Sequence, residues 1–560
     1  MENYEIAEKF KLLSQLMELH NANAFKIRSY QNAAFQIDRL SEVVLWELPS
    51  DDLEKLDGIG KSVAAKITEL RDTGTITEID NLLKATPVGV VQMMHIKGIG
   101  PKKVAALWRE LGIETTGELL YACNENRLTE LKGFGEKTQA QIKKAIEFIQ
   151  GSAGKYHYAA LEKTALSLME QLKNSELCTE VSLTGAIRRK CEILESIELV
   201  CSTNRVQLLF DFIGQSGFAE DLALKEDTIT FHLQAIPVVI FLCSETDFAK
   251  QLFLTTTNAA HLKQVQACNV EIDITKSTCN SEAQIYALYN LPFIEPELRE
   301  GLGEIELGRQ NALPTLIELS DLKGVLHNHS TWSDGIHTLE QMAKYCKELG
   351  YSYFGICDHS KSAFYANGLQ PERVLQQQSE IDALNNKMAP FKIFKGIESD
   401  ILSDGSLDYE EDILRRFDFV VASVHSNLKM DMDKATARLI RAIENPYTTI
   451  LGHPTGRLLL AREGYPIKHK KVIDACAANG VVIELNAHPY RLDMDWRWVQ
   501  YAIGKGVMIS INPDAHAREG FHDMYFGVCV ARKGMLTKTF TFNAKSTEEI
   551  EAHFTKRKTK

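Results

Sequence analysis

The chain lacks a Cys-x-x-Cys pair, a long apolar run and a basic, apolar leader. Its 11 cysteines are scattered, and Cys243 and Cys357 lie inside strand-like runs, which is typical of buried thiols in a reducing compartment. No apolar stretch approaches the ~20 residues that cross a bilayer. These absences argue against a disulfide framework, a thiolate zinc site, secretion and membrane insertion. We therefore expect a cytoplasmic protein with no membrane partner.

The chain also has fewer basic than acidic residues, with 63 Lys and Arg against 75 Asp and Glu, and its net charge is −12. With 44% hydrophobic and 25% charged residues, the composition is that of a globular protein. A chain of 560 residues is too long for one compact domain, and three or more are expected. We expect a monomer in which any contact with nucleic acid comes from local elements rather than from overall charge.

A short unit with two glycines occurs three times in the first 150 residues, each copy followed by a helix-like stretch. This helix-hairpin-helix pattern permits a tight turn that points backbone N–H groups toward a phosphate. A single copy would equally fit a helix C-cap. Three copies with nearby lysines predict contact with the DNA backbone, which positions a duplex without reading its sequence. The residues are Gly58, Gly60 and Lys61, then Gly98, Gly100 and Lys102, then Gly133 and Gly135.

Nine side chains of metal-ligand type follow short, β-branched apolar runs between residues 327 and 516. Such runs, separated by helix-like segments, indicate a repeating strand–helix unit. Ligands at the carboxyl ends of parallel strands are typical of a barrel active site, so we predict a multinuclear metal centre at the mouth of a β/α barrel. The ligands are His327, His329, Asp334, His359, Glu398, His425, His453, Asp514 and His516. Asp358 is predicted to orient His359.

The whole chain resembles the bacterial family X DNA polymerases that carry a C-terminal polymerase-and-histidinol-phosphatase (PHP) domain. The resemblance starts at Ala24-Phe-Lys-Ile-Arg-Ser-Tyr and continues through the hairpins and Leu291-Pro-Phe-Ile-Glu-Pro-Glu-Leu-Arg. It ends with Gly452-His-Pro-Thr-Gly-Arg, Glu484-Leu-Asn-Ala and Asp514-Ala-His. All nine predicted ligands match motif positions of the family, which implies three metal ions. Imidazole and carboxylate ligands without thiolate fit Mn²⁺ or Zn²⁺, and also iron.

The resemblance also implies a multidomain fold: an α-helical helix-hairpin-helix region, an α+β palm and thumb, and a distorted (β/α)7 PHP barrel. The strand-like runs that begin at Glu180, Ile197, Thr228 and Pro237 agree with a palm. We place a lyase-like helical domain at 1–80, a fingers-like domain at 81–150, the palm at 151–240, the thumb at 241–312 and the barrel at 323–560.

The palm departs from the family pattern at the three aspartates that hold two magnesium ions. The corresponding positions are Ser196, Glu198 and Val239. Two-metal phosphoryl transfer needs oxygen anions that bridge both cations, and one glutamate cannot hold the pair. Magnesium at the palm is therefore doubtful and templated polymerase activity is predicted to be lost, unless Glu192 or Glu195 replaces the missing ligands.

Other family positions are occupied by cationic residues. Lys66 falls where related repair polymerases have their Schiff-base lysine, and Lys26 falls near a 5′-phosphate-binding lysine. A lysine on a polar helix face is more often simply solvated, and a Schiff-base role needs a lowered pKa. Arg457 and Arg491 are candidates for phosphate contact, although either could pair with a carboxylate instead. Asn486 and His488 are expected to line the pocket.

The predicted function is that of a DNA-repair protein whose PHP domain acts as a metal-dependent 3′–5′ exonuclease or phosphoesterase. Its DNA partner would be gapped, nicked or 3′-ended. Two alternatives remain: a phosphatase for a small phosphomonoester such as histidinol phosphate, and a gap-filling polymerase with altered metal ligands or a silent DNA-binding scaffold. A small phosphomonoester would gain nothing from three hairpins.

Overall fold

The computed structural model describes residues 1–40, 44–124, 128, 131, 133–152, 154–233, 236–460 and 463–558. The chain divides into two compact units, Met1–Ala153 and Gly154–Lys560. None of the helices in the described ranges combines the length and the hydropathy that a membrane span requires.

The first unit is helical, as the three- and four-residue apolar spacing predicts. In its first helix, Ile6, Phe10, Leu13 and Met17 share one buried face. A single hydrophobic core extends from Ile6 to Ile146, so the helices of the predicted 1–80 and 81–150 domains pack together, and a boundary at residue 80 stays a prediction. The helices are α1 (Asn3–Leu19), α2 (Ala24–Asp38), α3 (Ser50–Leu53), α4 (Lys61–Thr73), α5 (Thr77–Lys84), α6 (Val88–Met93), α7 (Pro101–Leu111), α8 (Thr116–Asn124) and α9 (Glu136–Ser152).

The second unit starts with a mixed sheet in which alternating residues are buried, because only one face packs on helices. Its elements are β1 (Tyr156–His157), α10 (Tyr158–Asn174), β2 (Glu180–Leu183), α11 (Gly185–Arg188), β3 (Ile193–Leu194), β4 (Ile197–Ser202), α12 (Val206–Gln215), β5 (Glu220–Lys225), β6 (Thr228–Leu233) and β7 (Ile236–Cys243). The strand order is β2-β4-β7-β6-β5, with β4 and β7 parallel. The four predicted strands are present, whereas β5 is exposed, polar and without a sequence signal.

A small helical region follows, with a core of its own around Phe253, Tyr286 and Ile294. Its helices are α13 (Phe248–Thr256), α14 (Ala259–Cys268), α15 (Glu282–Leu288) and α16 (Glu304–Arg309). Arg188 of the sheet region contacts this helical region through Glu282, a carboxylate that it shares with Arg299 of the helical region. Arg188 and the fully buried Arg299 both donate hydrogen bonds to Glu282.

The rest of the second unit is a ring of seven parallel strands, in the order in which they occur in the chain. Its strands are buried throughout, because helices cover one face and the interior fills the other. The elements are β8 (Gly324–Val325), α17 (Leu339–Glu348), β9 (Tyr353–Ile356), α18 (Pro371–Met388), β10 (Lys392–Asp400), α19 (Glu411–Leu414), β11 (Phe419–Ser423), α20 (Met432–Glu444), β12 (Ile450–Leu451), α21 (His469–Asn479), β13 (Val482–Asn486), α22 (Val499–Gly504), β14 (Ile509–Asn512), α23 (Met524–Lys533) and α24 (Thr547–Lys558).

The first and last strands of the ring meet just beyond their carboxyl ends. Asn328 and Ala515 form a parallel bridge, and the His329 N–H donates to the Ala515 carbonyl at 2.9 Å. The sheet therefore closes into the predicted barrel, and this closure brings the ligands after β8 next to those after β14.

Buried polar contacts attach the sheet region to the barrel. The Trp496 indole N–H donates to Glu192 at 3.0 Å, and Lys533 Nζ donates to Glu300 at 2.7 Å and to the Arg189 carbonyl at 2.8 Å. Glu192 is therefore engaged by the barrel, and Glu195 lies exposed between β3 and β4. Glu192 is thus used in a contact with the barrel, whereas burial and, with it, the charge of the nearby Glu195 raise the pKa of Glu198, so a replacement palm ligand at Glu195 stays a prediction.

Candidate metal centre

Six strand ends of the barrel deliver the predicted ligands to one place. Glu398 lies inside β10 at the centre of the group, and the other eight residues follow the ends of β8, β9, β11, β12 and β14. Because the strands are parallel, their carboxyl ends all open on the same face of the barrel. The nine residues that the sequence singled out are thus one cluster.

Glu398 contacts four histidines from four strand ends. Its Oε1 lies 3.0 Å from His453 Nε2, 3.1 Å from His425 Nε2 and 3.3 Å from His327 Nε2. Its Oε2 lies 3.0 Å from His359 Nδ1. A carboxylate with ring nitrogens around both oxygens is placed to bridge two cations.

Two further groups complete the cluster. Ligand atoms of His329, Asp334, His359 and His516 lie within 4.8 Å of one another, as do those of His327, His329 and Asp514. Asp514 has a positive φ of 54°, a strained backbone conformation that is concentrated at functional sites. With the His359–Glu398–His425 group, the described residues form three candidate cation positions that share residues.

Buried ligand atoms without a hydrogen bond show that the cluster fits metal ions. Within the described part of the chain, His327 Nε2, His329 Nδ1 and Glu398 Oε2 are fully buried and make no hydrogen bond. Leaving such atoms unsatisfied costs about 1–3 kcal/mol each. Coordination of a cation would satisfy them, and imidazole with carboxylate is a donor set that divalent transition metals prefer.

The side chains around the cluster hold its ligands in place. His327 Nδ1 donates to Glu484 at 2.7 Å, and His425 Nδ1 donates to Asp400. Glu484 also accepts hydrogen bonds from the His453 N–H and from Asn512. Each carboxylate thereby fixes the tautomer in which the Nε2 lone pair faces the cluster.

The sequence analysis did not single out Asp400 and Asn512, although the spacing of both residues indicates their position. Asp400 follows Glu398 by two residues, and Asn512 precedes Asp514 by two. Residues two apart on a strand point to the same face, so both positions were accessible from periodicity alone.

The contacts of Asp358 differ from the predicted role of orienting His359. Its oxygens accept hydrogen bonds from Ser330 and Ser333, through backbone and side chain of both, and from Gln377 Nε2 at 2.6 Å. It therefore holds the turn that carries Asp334 rather than orienting His359.

Charges within the cluster shift its titration strongly. Burial alone would lower the pKa of His327 and His425, but the carboxylates around them raise the pKa of His327 well above its usual value and that of His425 to about 9. Burial lowers the pKa of His329 to about 3. Cations must therefore displace protons from His327 and His425, so metal binding becomes stronger as the pH rises.

The two predicted phosphate-binding arginines have different surroundings. Arg457 pairs with Asp495 at 2.6 Å and donates to the carbonyls of Arg491 and Leu492, so its guanidinium braces the loop after β13. The Arg491 side chain has no acceptor among the described residues, and burial together with its charge lowers the pKa of His453 and His488. Asn486 donates to Asp514 at 3.1 Å and thus lies at the cluster.

Comparisons with known proteins agree with this geometry. Residues 1–76 match a helix-hairpin-helix domain, residues 91–147 a SAM-like helix-hairpin-helix tandem and residues 326–488 the PHP domain. The chain is 34% identical over 99% of its length to the DNA polymerase/3′-5′ exonuclease PolX of Bacillus subtilis (strain 168), and the match covers 99% of that protein. The chain belongs to the bacterial family X DNA polymerases with a PHP domain. The resemblance and the fold class predicted from the sequence are both confirmed.

Shorter relatives match part of this family X chain. A probable phosphatase of Thermoanaerobacter (strain X514) is 30% identical over 30% of the chain and 74% of its own length. A probable phosphatase of Acetivibrio thermocellus is 29% identical over 29% of the chain and 65% of its own length. The PHP domain is a family of metal-dependent phosphoesterases, in agreement with the ligand cluster.

The family X palm positions lie together in the sheet. Glu198 on β4 pairs with Val239 on β7, which places the predicted third position opposite the second. Burial raises the pKa of the Glu198 carboxyl, although Arg189, the Ala186 N–H and the Ser196 side chain act to lower this pKa. A β-carbon at Gly185 would lie 1.3 Å from Glu198 Oε2, so this carboxylate fills the turn before α11. Ser196 and Val239 carry no carboxylate, so Glu198 is the one acidic side chain among the three positions.

In the helical unit, the hairpin glycines adopt the conformations that their pattern predicts. Gly58, Gly98 and Gly133 have φ values of 79°, 93° and 91°, in the region that favours glycine. Gly60 and Gly100 are the N-caps of α4 and α7, and neither helix start receives a side-chain cap. In α4 the first N–H groups are therefore available to an anion, whereas α7 starts with Pro101, which has no N–H, and offers the N–H of Lys102.

The two lysines predicted at a lyase site differ in their contacts. Lys66 Nζ lies 2.6 Å from Glu78, and its side chain is only 14% exposed. This ion pair engages the amine, whereas a Schiff-base lysine must attack as a free neutral amine. Lys26 is exposed in the first turn of α2. Lyase chemistry at Lys66 thus has no support from the geometry, and 5′-phosphate binding at Lys26 stays a prediction.

We expect Glu484→Gln to weaken Mn²⁺ binding by about 10- to 100-fold, because an amide holds His327 and His453 less firmly than a carboxylate. Isothermal titration of the metal-free protein with Mn²⁺ measures the change. Glu444→Gln, an exposed change at the end of α20, serves as the matched control. Unchanged Mn²⁺ affinity in Glu484→Gln would show that Glu484 is not needed to position the ligands.

Proposed function

We propose that this protein is a metal-dependent 3′–5′ exonuclease of DNA repair that acts from its PHP barrel on DNA bound by the helix-hairpin-helix motifs. The observation that carries the proposal is the cluster around Glu398, joined in one chain to hairpins with uncapped helix starts. A relative along the full length is named DNA polymerase/3′-5′ exonuclease. DNA with a gap, a nick or a free 3′ end is the proposed partner of a cytoplasmic monomer.

The nine ligands would hold three ions of Mn²⁺ or Zn²⁺, or of iron. Ions bound there would supply Lewis-acid stabilisation of phosphoryl oxygens and a nucleophilic water. The chain contributes the placement: Glu484 and Asp400 fix the imidazole rings, and the turn held by Asp358 presents Asp334. Arg491, with no acceptor of its own among the described residues, is the side chain best placed to bind a phosphate oxygen near His453.

We also propose that templated polymerase activity has been lost. Serine is a poor ligand for Mg²⁺ and valine is none, and the Glu198 carboxylate lies against the Gly185 turn. The sheet region then serves as a support, since its contacts through Glu192, Lys190 and the Arg189 carbonyl fix the barrel against it.

A second candidate function is hydrolysis of a small phosphomonoester. The relatives named probable phosphatases favour it, because they match about 30% of the chain without the rest of its length. Hairpins with free helix starts have no part in such a reaction, and this favours the nuclease.

A 5′-labelled primer on a gapped template, incubated with Mn²⁺ with and without dNTPs, tests the proposal. We expect a ladder of shortened primer, no extension, and loss of the ladder in His327→Ala/His329→Ala. His469→Ala/His522→Ala removes two histidines outside the cluster and is the matched control. Primer extension that persists in the double variant would show an active palm. An intact primer together with hydrolysis of p-nitrophenyl phosphate would favour the second candidate.

A further inference from the structure

A cavity of about 530 Å³ opens beside the metal cluster, between the loop after β10 and the loop after β11. His425, a predicted ligand 3.1 Å from Glu398, is one of its lining residues. Its volume lies within the range of ligand-binding pockets, so it has room for a group as large as a nucleotide. Of the nine predicted ligands, His425 alone lines this cavity, so the cavity is a separate feature beside the cluster.

The walls of the cavity are tied together by polar contacts. The buried Arg438 donates to the carbonyls of Ile401 and Leu402 in one loop and of Ser426 in the other. Asn427, at a φ of 54°, donates from Nδ2 to Ser403 Oγ at 2.9 Å across the two loops. The cavity is therefore shaped before any ligand arrives, which reduces the cost of ordering on binding.

The charge of the cavity has one sign. Its lining residues are Ser403, His425, Asn427, Leu428, Lys429, Met430, Lys434 and Arg438, none of them acidic. Lys429 and Lys434 are exposed, and no carboxylate pairs with either in the described part of the chain. Arg438 has its guanidinium bound to carbonyls, so the two lysines are the groups available to an anion. A protein with a net charge of −12 thus presents two unpaired cations beside its metal cluster.

We propose that this cavity binds the DNA strand next to the scissile bond, with Lys429 and Lys434 on the neighbouring phosphate. This proposal rests on the exonuclease function and specifies its substrate. When the 3′-terminal nucleotide is removed, the scissile phosphate lies at the metal cluster, and every other phosphate of the strand is on its 5′ side. The cavity therefore takes the second phosphate from the 3′ end, and it selects a polynucleotide over a single phosphoester.

Two substrates separate this role from the metal chemistry. Thymidine 5′-(p-nitrophenyl phosphate) has one phosphate, and a single-stranded 12-mer has a neighbouring phosphate. In Lys429→Ala/Lys434→Ala we expect kcat/KM to fall about 10-fold for the 12-mer, mainly through KM, and to stay within about 2-fold for the single phosphoester. The slope of log KM against log salt should weaken by about 0.7, because one phosphate of a single strand loses its cationic contact. Lys344→Ala/Lys387→Ala, which removes two exposed lysines from α17 and α18, is the matched control.

A chemical substitution in the DNA tests the same contact without changing the protein. With the unaltered protein, kcat/KM should be about 10-fold lower for a 12-mer that has an uncharged methylphosphonate at the second linkage from the 3′ end. With Lys429→Ala/Lys434→Ala, the methylphosphonate should lower kcat/KM little further, because the two changes remove the same interaction.

Each contrary result overturns the proposal in a recognisable way. Equal losses on both substrates would mean that the lysines act on the metal cluster or the fold. No loss on the 12-mer, or independent losses from the two changes, would mean that the strand does not contact them. An unaltered protein that cleaves neither substrate would overturn the exonuclease function itself.

Discussion

Glu398→Gln is expected to abolish nuclease activity, with at least about a 1,000-fold loss of rate, equivalent to about 4 kcal/mol of transition-state stabilisation. The carboxylate lies within 3.3 Å of ring nitrogens from four histidines and is buried, and those histidines hold its pKa well below the usual value against the effect of burial. An amide has no negative charge to share between two cations, so the metal content should fall as well. Cleavage of a 5′-labelled oligonucleotide and elemental analysis of the dialysed protein measure the two effects.

The control for this change is Glu410→Gln, which alters an exposed glutamate at the start of α19. It should keep full activity and metal content. If Glu398→Gln retained cleavage within 10-fold of the unaltered protein, the cluster around Glu398 would not be the nuclease site. Normal metal content with lost cleavage would assign Glu398 to catalysis rather than to metal retention.

Glu282→Ala is expected to lower the free energy of unfolding of the second unit by about 3–5 kcal/mol. Arg299 is fully buried, with its guanidinium 5.3 Å from the Tyr286 ring centre and 5.7 Å from that of Phe253. Removal of Glu282 leaves this charge, and that of Arg188, without the shared carboxylate. Urea unfolding followed by tryptophan fluorescence measures the change.

An exposed ion pair provides the comparison. Glu306 and Arg309 are 4.0 Å apart with side chains more than 60% exposed, so Glu306→Ala should cost less than about 1 kcal/mol. A loss below 1 kcal/mol for Glu282→Ala would mean that water reaches Arg299 and replaces the carboxylate.

The contribution of Glu282 also depends on pH in a defined direction. Burial alone would raise its pKa, but the hydrogen bonds and charges of Arg188 and Arg299 lower it below the usual value. The stabilisation is therefore fully present above the unfolded-state pKa of about 4.3 and is lost as the pH falls through the folded-state pKa. The difference between the unaltered protein and Glu282→Ala should shrink in acid.

Glu398→Gln affects the barrel, and Glu282→Ala affects the contact between the small helical region and the sheet region. The sheet region is the part for which we propose a loss of polymerase activity. The sheet region has its own core and buried contacts with the barrel, whereas only one of the three proposed palm positions, Glu198, carries a carboxylate. Apolar strands are sufficient to specify a fold, but two-metal chemistry depends on a few anions. The support can therefore persist after the chemistry at its surface has gone.

The sequence by itself determined which residues form the cluster in the barrel, the hairpin turns and the family. His327 and His329 share a face because a strand has a period of two, and glycines at 58, 98 and 133 are required by a positive φ. Both rules are local, so they can be read from neighbouring residues. The tertiary structure alone decided which polar groups meet. Arg457 pairs with Asp495, Glu192 with Trp496, and Asp358 with Ser330, across separations of 38, 304 and 28 residues. The cavity of Lys429 and Lys434 likewise forms only when two loops are tied together by Arg438, because long-range partners are set by strand order and closure rather than by local spacing.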